Sequence, residues 1–140
     1  AESDAKVIIE VRVPAQVDDA AGKTEASTVL EKADTIAIYG SNEFAAKAII
    51  NANGSFKESK LGKDKIIAVG FDSGALQQDA IRNGVFAGSV TQDPIQIGYQ
   101  AVKLAVESAQ GKEVKDVDTG SKWYDAKNID SDEIKALLYQ

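Results

Sequence analysis

The sequence predicts an α/β protein built on a doubly wound, mainly parallel sheet, and three observations carry that expectation. Short apolar runs rich in β-branched residues alternate four times with helical stretches, as in Thr35-Ile-Ala-Ile-Tyr ahead of the alanine-rich run that starts at Glu43. The helical stretches begin near small polar capping residues and end near Gly54, Gly84 and Gly111. A strand-helix-strand order implies right-handed crossovers between parallel strands. At 140 residues the chain fits one domain, large enough to bury roughly two thirds of the surface that its unfolded form exposes.

In chain order, residues 6–13 (Lys-Val-Ile-Ile-Glu-Val-Arg-Val) read as a strand stopped by Pro14. Asp18 and Asp19 favour the positive end of a helix running through Ala20, Val29 and Leu30 to about Lys32. Residues 35–39 form a buried-type strand, Gly40-Ser41-Asn42 a turn with a capping residue, and residues 43–53 a helix closed by Gly54. A polar, lysine-bearing loop covers residues 55–64. The next strand ends in Gly70-Phe71-Asp72, with Ser73 as the expected cap of a helix that turns Leu76, Ala80 and Ile81 inward and stops at Asn83-Gly84. Residues 85–90 are a fourth strand. Asp93 as cap and Pro94 at the first helical position give the sharpest helix start in the chain. That helix runs to Gln110, with Gly98, Ala101, Val102, Ala105 and Ala109 as its inward stripe. Residues 114–124 read as extended, and residues 131–138 as a short helix capped by Ser131.

Composition excludes several classes of function. The net charge is −6 and the basic residues are scattered, which argues against a nucleic-acid partner. The chain has no cysteine and no histidine, so thiol nucleophiles, disulfides, Cys/His zinc sites and Ser-His-Asp triads are absent from it. No apolar stretch approaches the roughly 18 residues of a membrane span. With no methionine, residue 1 is not expected to be a translation start. Neither glycine-rich phosphate motif occurs; Gly22-Lys23-Thr24 lacks its upstream glycine and falls inside a predicted helix. Asp130-Ser131-Asp132-Glu133 begins like a calcium loop without its later glycine and glutamate, and reads as a cap. A phospho-accepting receiver would need an acidic pair where Val13-Pro14 stands. No cofactor or metal is called for.

The candidate site lies at the carboxyl ends of the strands. Asn42, Asp72 and Gln92 each follow a predicted strand and precede a predicted helix, so one topology sets all three along one edge of the sheet. An amide, a carboxylate and a second amide can donate to and accept from a ring of hydroxyls, as a neutral polyol or sugar requires. Acid-base catalysis is served less well, because glycosidic cleavage ordinarily uses two carboxylates. The competing reading is local: all three residue types are favoured at caps and turns.

These residues carry a resemblance. The stretch from Ile67 to Gln77 (Ile-Ala-Val-Gly-Phe-Asp-Ser-Gly-Ala-Leu-Gln) and the one from Gly84 through Thr91-Gln-Asp-Pro to Val102 resemble the carboxyl-terminal lobe of periplasmic sugar-binding proteins of the ribose-binding type. Ala37-Ile-Tyr-Gly-Ser-Asn resembles the Asn-bearing turn of that lobe, and Val117-Asp-Thr-Gly-Ser-Lys-Trp-Tyr-Asp resembles the ending of substrate-binding proteins of bacterial sugar importers. The resemblance implies that Asn42, Asp72 and Gln92 match the sugar-contacting Asn, Asp and Gln of the family. Val17 stands where ribose-type members stack an aromatic residue on the sugar, so the likeness leaves the identity of the sugar open.

Proteins of that type enclose the sugar between two lobes by hinge closure. The resemblance therefore implies non-enzymatic monosaccharide binding for ABC-type import, in a periplasmic or extracellular setting, with a membrane permease as partner. It also implies a flavodoxin-like strand order 2-1-3-4-5 in which the central first strand is missing and residues 6–13 are strand 2. The gap would be closed by the rest of the protein as a separate chain, by a self-associated copy, or by direct pairing of residues 6–13 with residues 35–39. The alternative is a sensory or protein-interaction domain of the same fold, a chemoreceptor partner or effector domain, without a transport role.

Overall fold

The computed structural model describes residues 6–139. Its elements, in order, are α1 (Asp19–Leu30), β1 (Ala37–Tyr39), α2 (Glu43–Asn53), β2 (Ile67–Phe71), α3 (Ala75–Arg82), β3 (Gly88–Gln92), α4 (Pro94–Ala109), β4 (Ser121–Tyr124) and α5 (Asp132–Lys135). The sheet has the order β1-β2-β3-β4. β1 and β3 both pair parallel with β2, with Ile38 opposite Ala68 and Gly70 opposite Ser89. β4 returns antiparallel along β3, with Tyr124 opposite Ser89 and Ser121 opposite Gln92. The three parallel strands reproduce the 3-4-5 portion of the expected order.

Capping chemistry sets most helix boundaries. The Asp18 carboxylate accepts from Ala21 N at 2.8 Å, Asn42 Oδ1 from Ala45 N at 2.9 Å and Asp93 Oδ1 from Gln96 N at 2.8 Å. Ser73 departs from expectation. Gly74 is the N-cap of α3 and makes no side-chain cap bond, while the Ser73 hydroxyl turns into the core to meet Thr91 and the Leu137 carbonyl. Leu76, expected inward, is exposed; Gln77 takes the buried position beside Ala80 and Ile81. The 85–90 strand begins only at Gly88, and the extended 114–124 region pairs only from Ser121.

The core occupies one face of the sheet. Strand alternation puts Ile38, Ala68, Gly70, Ser89, Thr91 and Tyr124 on that face. Ala46, Ile49 and Ala52 of α2, Ala80 and Ile81 of α3, and Ile134 of α5 pack there with Phe86 and Ile129. The opposite face carries Tyr39, Ile67 and Trp123, all substantially exposed. Thr35-Ile-Ala-Ile-Tyr has the apolar run of a strand buried on both sides, yet Ala37 and Tyr39 lie open.

Two further expectations change for the same reason. Residues 6–13 have the strand pattern but pair with nothing among the described residues, and Val7, Ile8, Ile9, Val11 and Val13 are exposed. Direct pairing with β1 does not occur; the run is held by exposed ion pairs of Glu10 with Lys32 and of Arg12 with Glu10 and Glu25. Such pairs contribute about 0–1 kcal/mol each. In α4 no residue is buried, so the stripe of Gly98, Ala101, Val102, Ala105 and Ala109 faces no core. Its 16 residues are held by their own backbone bonds, the Asp93 cap and Pro94. No helix among the described residues is long and apolar enough to cross a membrane.

Candidate functional site

The site is assembled at the carboxyl ends of β1, β2 and β3. Each parallel strand there hands over to a turn and then a helix, and the turns carry Asn42, Asp72 and Gln92. Asp72 is the best-defined of the three. Its φ is +76°, a left-handed conformation shared among non-glycine described residues only with Asp64 in an exposed loop. Such a conformation costs roughly 1–2 kcal/mol for an L residue, less for Asp and Asn than for bulkier types.

Four bonds hold Asp72 there. Its N–H donates to the Val90 carbonyl at 2.7 Å. Its carbonyl accepts from Tyr124 Oη at 2.8 Å, Ser89 Oγ at 2.9 Å and, at 3.3 Å, Gln77 Nε2. With the carbonyl drawn into the core, the carboxylate stays outside, where Oδ2 accepts from Glu43 N at 2.9 Å. That amide is the first of α2, so the carboxylate sits at the positive end of a helix dipole and ties the β2 turn to the β1 turn. Among the described residues, Oδ1 of Asp72 accepts no protein hydrogen bond.

Asn42 divides its side chain between two tasks. Oδ1 is committed to capping α2, and the exposed amide NH2 meets no acceptor among the described residues. Gln92 is not a cap at all, since Asp93 caps α4. Its exposed side chain ends β3 two residues past the Phe71–Val90 pair, on the same sheet edge. The structure thus joins Asp72 to the Asn42 turn by a hydrogen bond and relates Gln92 to them by strand register.

Three contributors to this edge carry no signal in the sequence. Glu43 brings a second carboxylate to this edge; it packs over Gly74, where any Cβ would collide with it, and Oε2 accepts from Tyr139 Oη at 3.4 Å. Tyr124 and Gln77 act from behind. Burial pushes the Tyr124 phenol up to about 12, so it remains a donor throughout the neutral range. Burial also raises Tyr139 above the usual tyrosine value. A Tyr two positions after Lys122 in an extended run gave no hint of a bond 52 residues back along the chain. No group of three or more acidic, His or Cys side chains among the described residues could hold a metal ion.

Residues 2–113 match the family model described as periplasmic binding protein domain. The chain belongs to the periplasmic binding protein family. Among solved structures, this family member is 41% identical to an ABC transporter, LacI family transcriptional regulator from Brachyspira murdochii, with a TM-score of 0.79, over 91% of this chain and 42% of that one. It is 29% identical to an ABC transporter solute binding protein from Agrobacterium vitis with bound D-fucose, with a TM-score of 0.78, over 88% of this chain and 42% of that one. A carbohydrate transporter solute binding protein from Agrobacterium radiobacter, in complex with D-arabinose, is 27% identical with a TM-score of 0.71, over 84% of this chain and 40% of that one. No curated protein matches. The periplasmic binding protein chain described here therefore spans about two fifths of the length of these solved relatives, and the mainly parallel sheet is that of one lobe of the family fold.

Proposed function

We propose that this chain is one lobe of a non-enzymatic sugar-binding protein that serves ABC-type import, and that Asn42, Asp72 and Gln92 contact the sugar. The observation that carries the reading is the Asp72 carboxylate. It is held outward from a left-handed backbone, anchored through Oδ2 to Glu43 N and left with Oδ1 open at the ligand edge of the sheet. A carboxylate oxygen so presented can accept from paired sugar hydroxyls, with the Asn42 and Gln92 amides donating and accepting beside it. Relatives with bound D-fucose and D-arabinose support a monosaccharide or similar polyol.

The remaining lobe is a partner in this reading, as a separate chain or a self-associated copy. The exposed face of the sheet with Tyr39, Ile67 and Trp123, the unpaired residues 6–13 and the undocked α4 are apolar surfaces that fit such a partner. An open half-site leaves most of a ligand wet, whereas good small-molecule sites bury about 70–90% of it. The lobe alone should therefore bind weakly. A periplasmic or extracellular location and a membrane permease follow from the same proposal.

Titration calorimetry with a panel of monosaccharides, beginning with D-fucose and D-arabinose, tests it on the chain together with the remaining lobe. Asp72→Ala is expected to abolish binding; unchanged affinity would overturn the assignment. The same exposed apolar surfaces favour, as a second reading, a sensory domain that contacts a protein. A chain that binds no sugar once completed would turn the argument that way.

A further inference from the structure

Behind Asp72 lies a polar cluster that packing does not explain. Tyr124 and Ser89 are fully buried and Gln77 nearly so, and they come from β4, β3 and α3. Gln77 Nε2 donates to the Phe71 carbonyl at 2.8 Å and reaches the Asp72 carbonyl at 3.3 Å, while Gln77 Oε1 has no partner among the described residues. An apolar side chain would fill the same space without burying an orphan acceptor. What the arrangement achieves is aim: all three donors converge on the Asp72 carbonyl, the backbone group that must stay inside if the carboxylate is to stay outside. Asp64 shares the left-handed conformation in an exposed loop, and no donor from the core reaches it.

We infer that Tyr124, assisted by Ser89 and Gln77, is a positioning residue for the Asp72 carboxylate, so that the antiparallel strand β4 sets the geometry of a ligand edge it does not itself form. The inference rests on the reading of Asp72 as a ligand contact. Loss of the phenol hydroxyl removes the shortest of the three bonds to the Asp72 carbonyl, which loosens the 72–73 peptide and weakens the hold of the carboxylate on the Glu43 amide. Affinity then falls although no group that meets the ligand has changed.

The test uses the full chain labelled with nitrogen-15. In the wild type the Glu43 amide proton reports its bond to the Asp72 carboxylate through a downfield shift that is lost as that carboxylate is protonated, and Asp72→Asn identifies the signal. Tyr124→Phe is expected to reduce this acid-dependent shift by about half or more, with Ser89→Ala as a second, smaller substitution should the first unfold the chain. With the remaining lobe present and D-fucose or D-arabinose as probe, whichever binds, Tyr124→Phe should weaken binding about tenfold and add little in an Asp72→Asn background. A purely structural Tyr124 would lower the melting temperature and leave the Glu43 signal unmoved; that outcome, or full tenfold weakening in the Asp72→Asn background, overturns the inference. If sugar binding ignores Asp72→Asn while the Glu43 signal still responds to Tyr124→Phe, the ligand reading fails and the positioning stands.

Discussion

The α2–α3–β4 side of the molecule and the surfaces formed by residues 6–13 and α4 are built from similarly patterned sequence, yet only the first is anchored. Ile49, Ala80, Ile81 and Tyr124 are buried against one another, and even the buried hydroxyls of Ser73, Ser89 and Thr91 find partners. Val7, Ile9, Val11, Val102 and Val106 stand in water. An apolar pattern specifies the surface an element needs to cover, and burial follows only where a second surface is at hand. The candidate site stands at the border of the two regions. Its backbone is fixed by the packed side, and its open oxygen and amides look out from the edge.

Truncating one side chain in each region tests this contrast most severely. Ile81 is fully buried in the core cluster, so Ile81→Ala is expected to cost about 2–5 kcal/mol in urea unfolding. Val102 is 67% exposed, and Val102→Ala should fall within about 0.5 kcal/mol. Equal losses would mean that α4 is packed in solution and that the contrast is false. Repeated with the remaining lobe present, a cost that rises only for Val102→Ala would sharpen it.

Local chemistry was legible in the sequence; tertiary pairing was less so. The Glu43–Asn53 helix was readable to the residue because Asn42 caps it and Gly54 follows it, and Asp93-Pro94 marked the start of α4 equally well. The edge shared by Asn42, Asp72 and Gln92 followed from strand-turn-helix order alone. Residues 6–13 misled because β-branched alternation reports strand propensity, while a ladder needs a neighbour. Leu76 misled because α3 spends its inward position on Gln77, whose amide donates to the Phe71 carbonyl at 2.8 Å and reaches the Asp72 carbonyl at 3.3 Å, polar contacts that no hydrophobic period announces. Tyr124 and Glu43 were invisible for a related reason: each bond that matters crosses between elements, at separations of 52 and 29 residues.

A smaller effect tests how dry the packed side is. Tyr124 has its pKa raised to about 12 by burial, against about 10 in the unfolded chain. Below pH 10 both states are protonated and the phenol's contribution is fully present. As pH rises from about 10 to about 12 the unfolded state ionises first, and up to roughly 3 kcal/mol of stability is lost. Tyr124→Phe should remove this share of the alkaline limb, read as the difference between the two urea midpoints as pH rises from 9 through 12. Parallel limbs would show that water reaches the phenol and that the contrast between the two sides is weaker than the buried areas imply.

The smallest effect separates the two tasks of Asn42, which belongs to both regions. Its oxygen caps α2 on the packed side and its amide faces the open edge, so the two groups can be varied independently. Asn42→Ala removes both and should cost about 1 kcal/mol of stability together with sugar affinity. Asn42→Asp keeps an equally good cap and replaces the donating amide with a further negative charge beside the Asp72 and Glu43 carboxylates. It should therefore unfold like the wild type or within a few tenths of a kcal/mol of it, yet bind sugar poorly. Wild-type affinity in Asn42→Asp would reduce Asn42 to a cap, and would leave the ligand edge to Asp72 and Gln92.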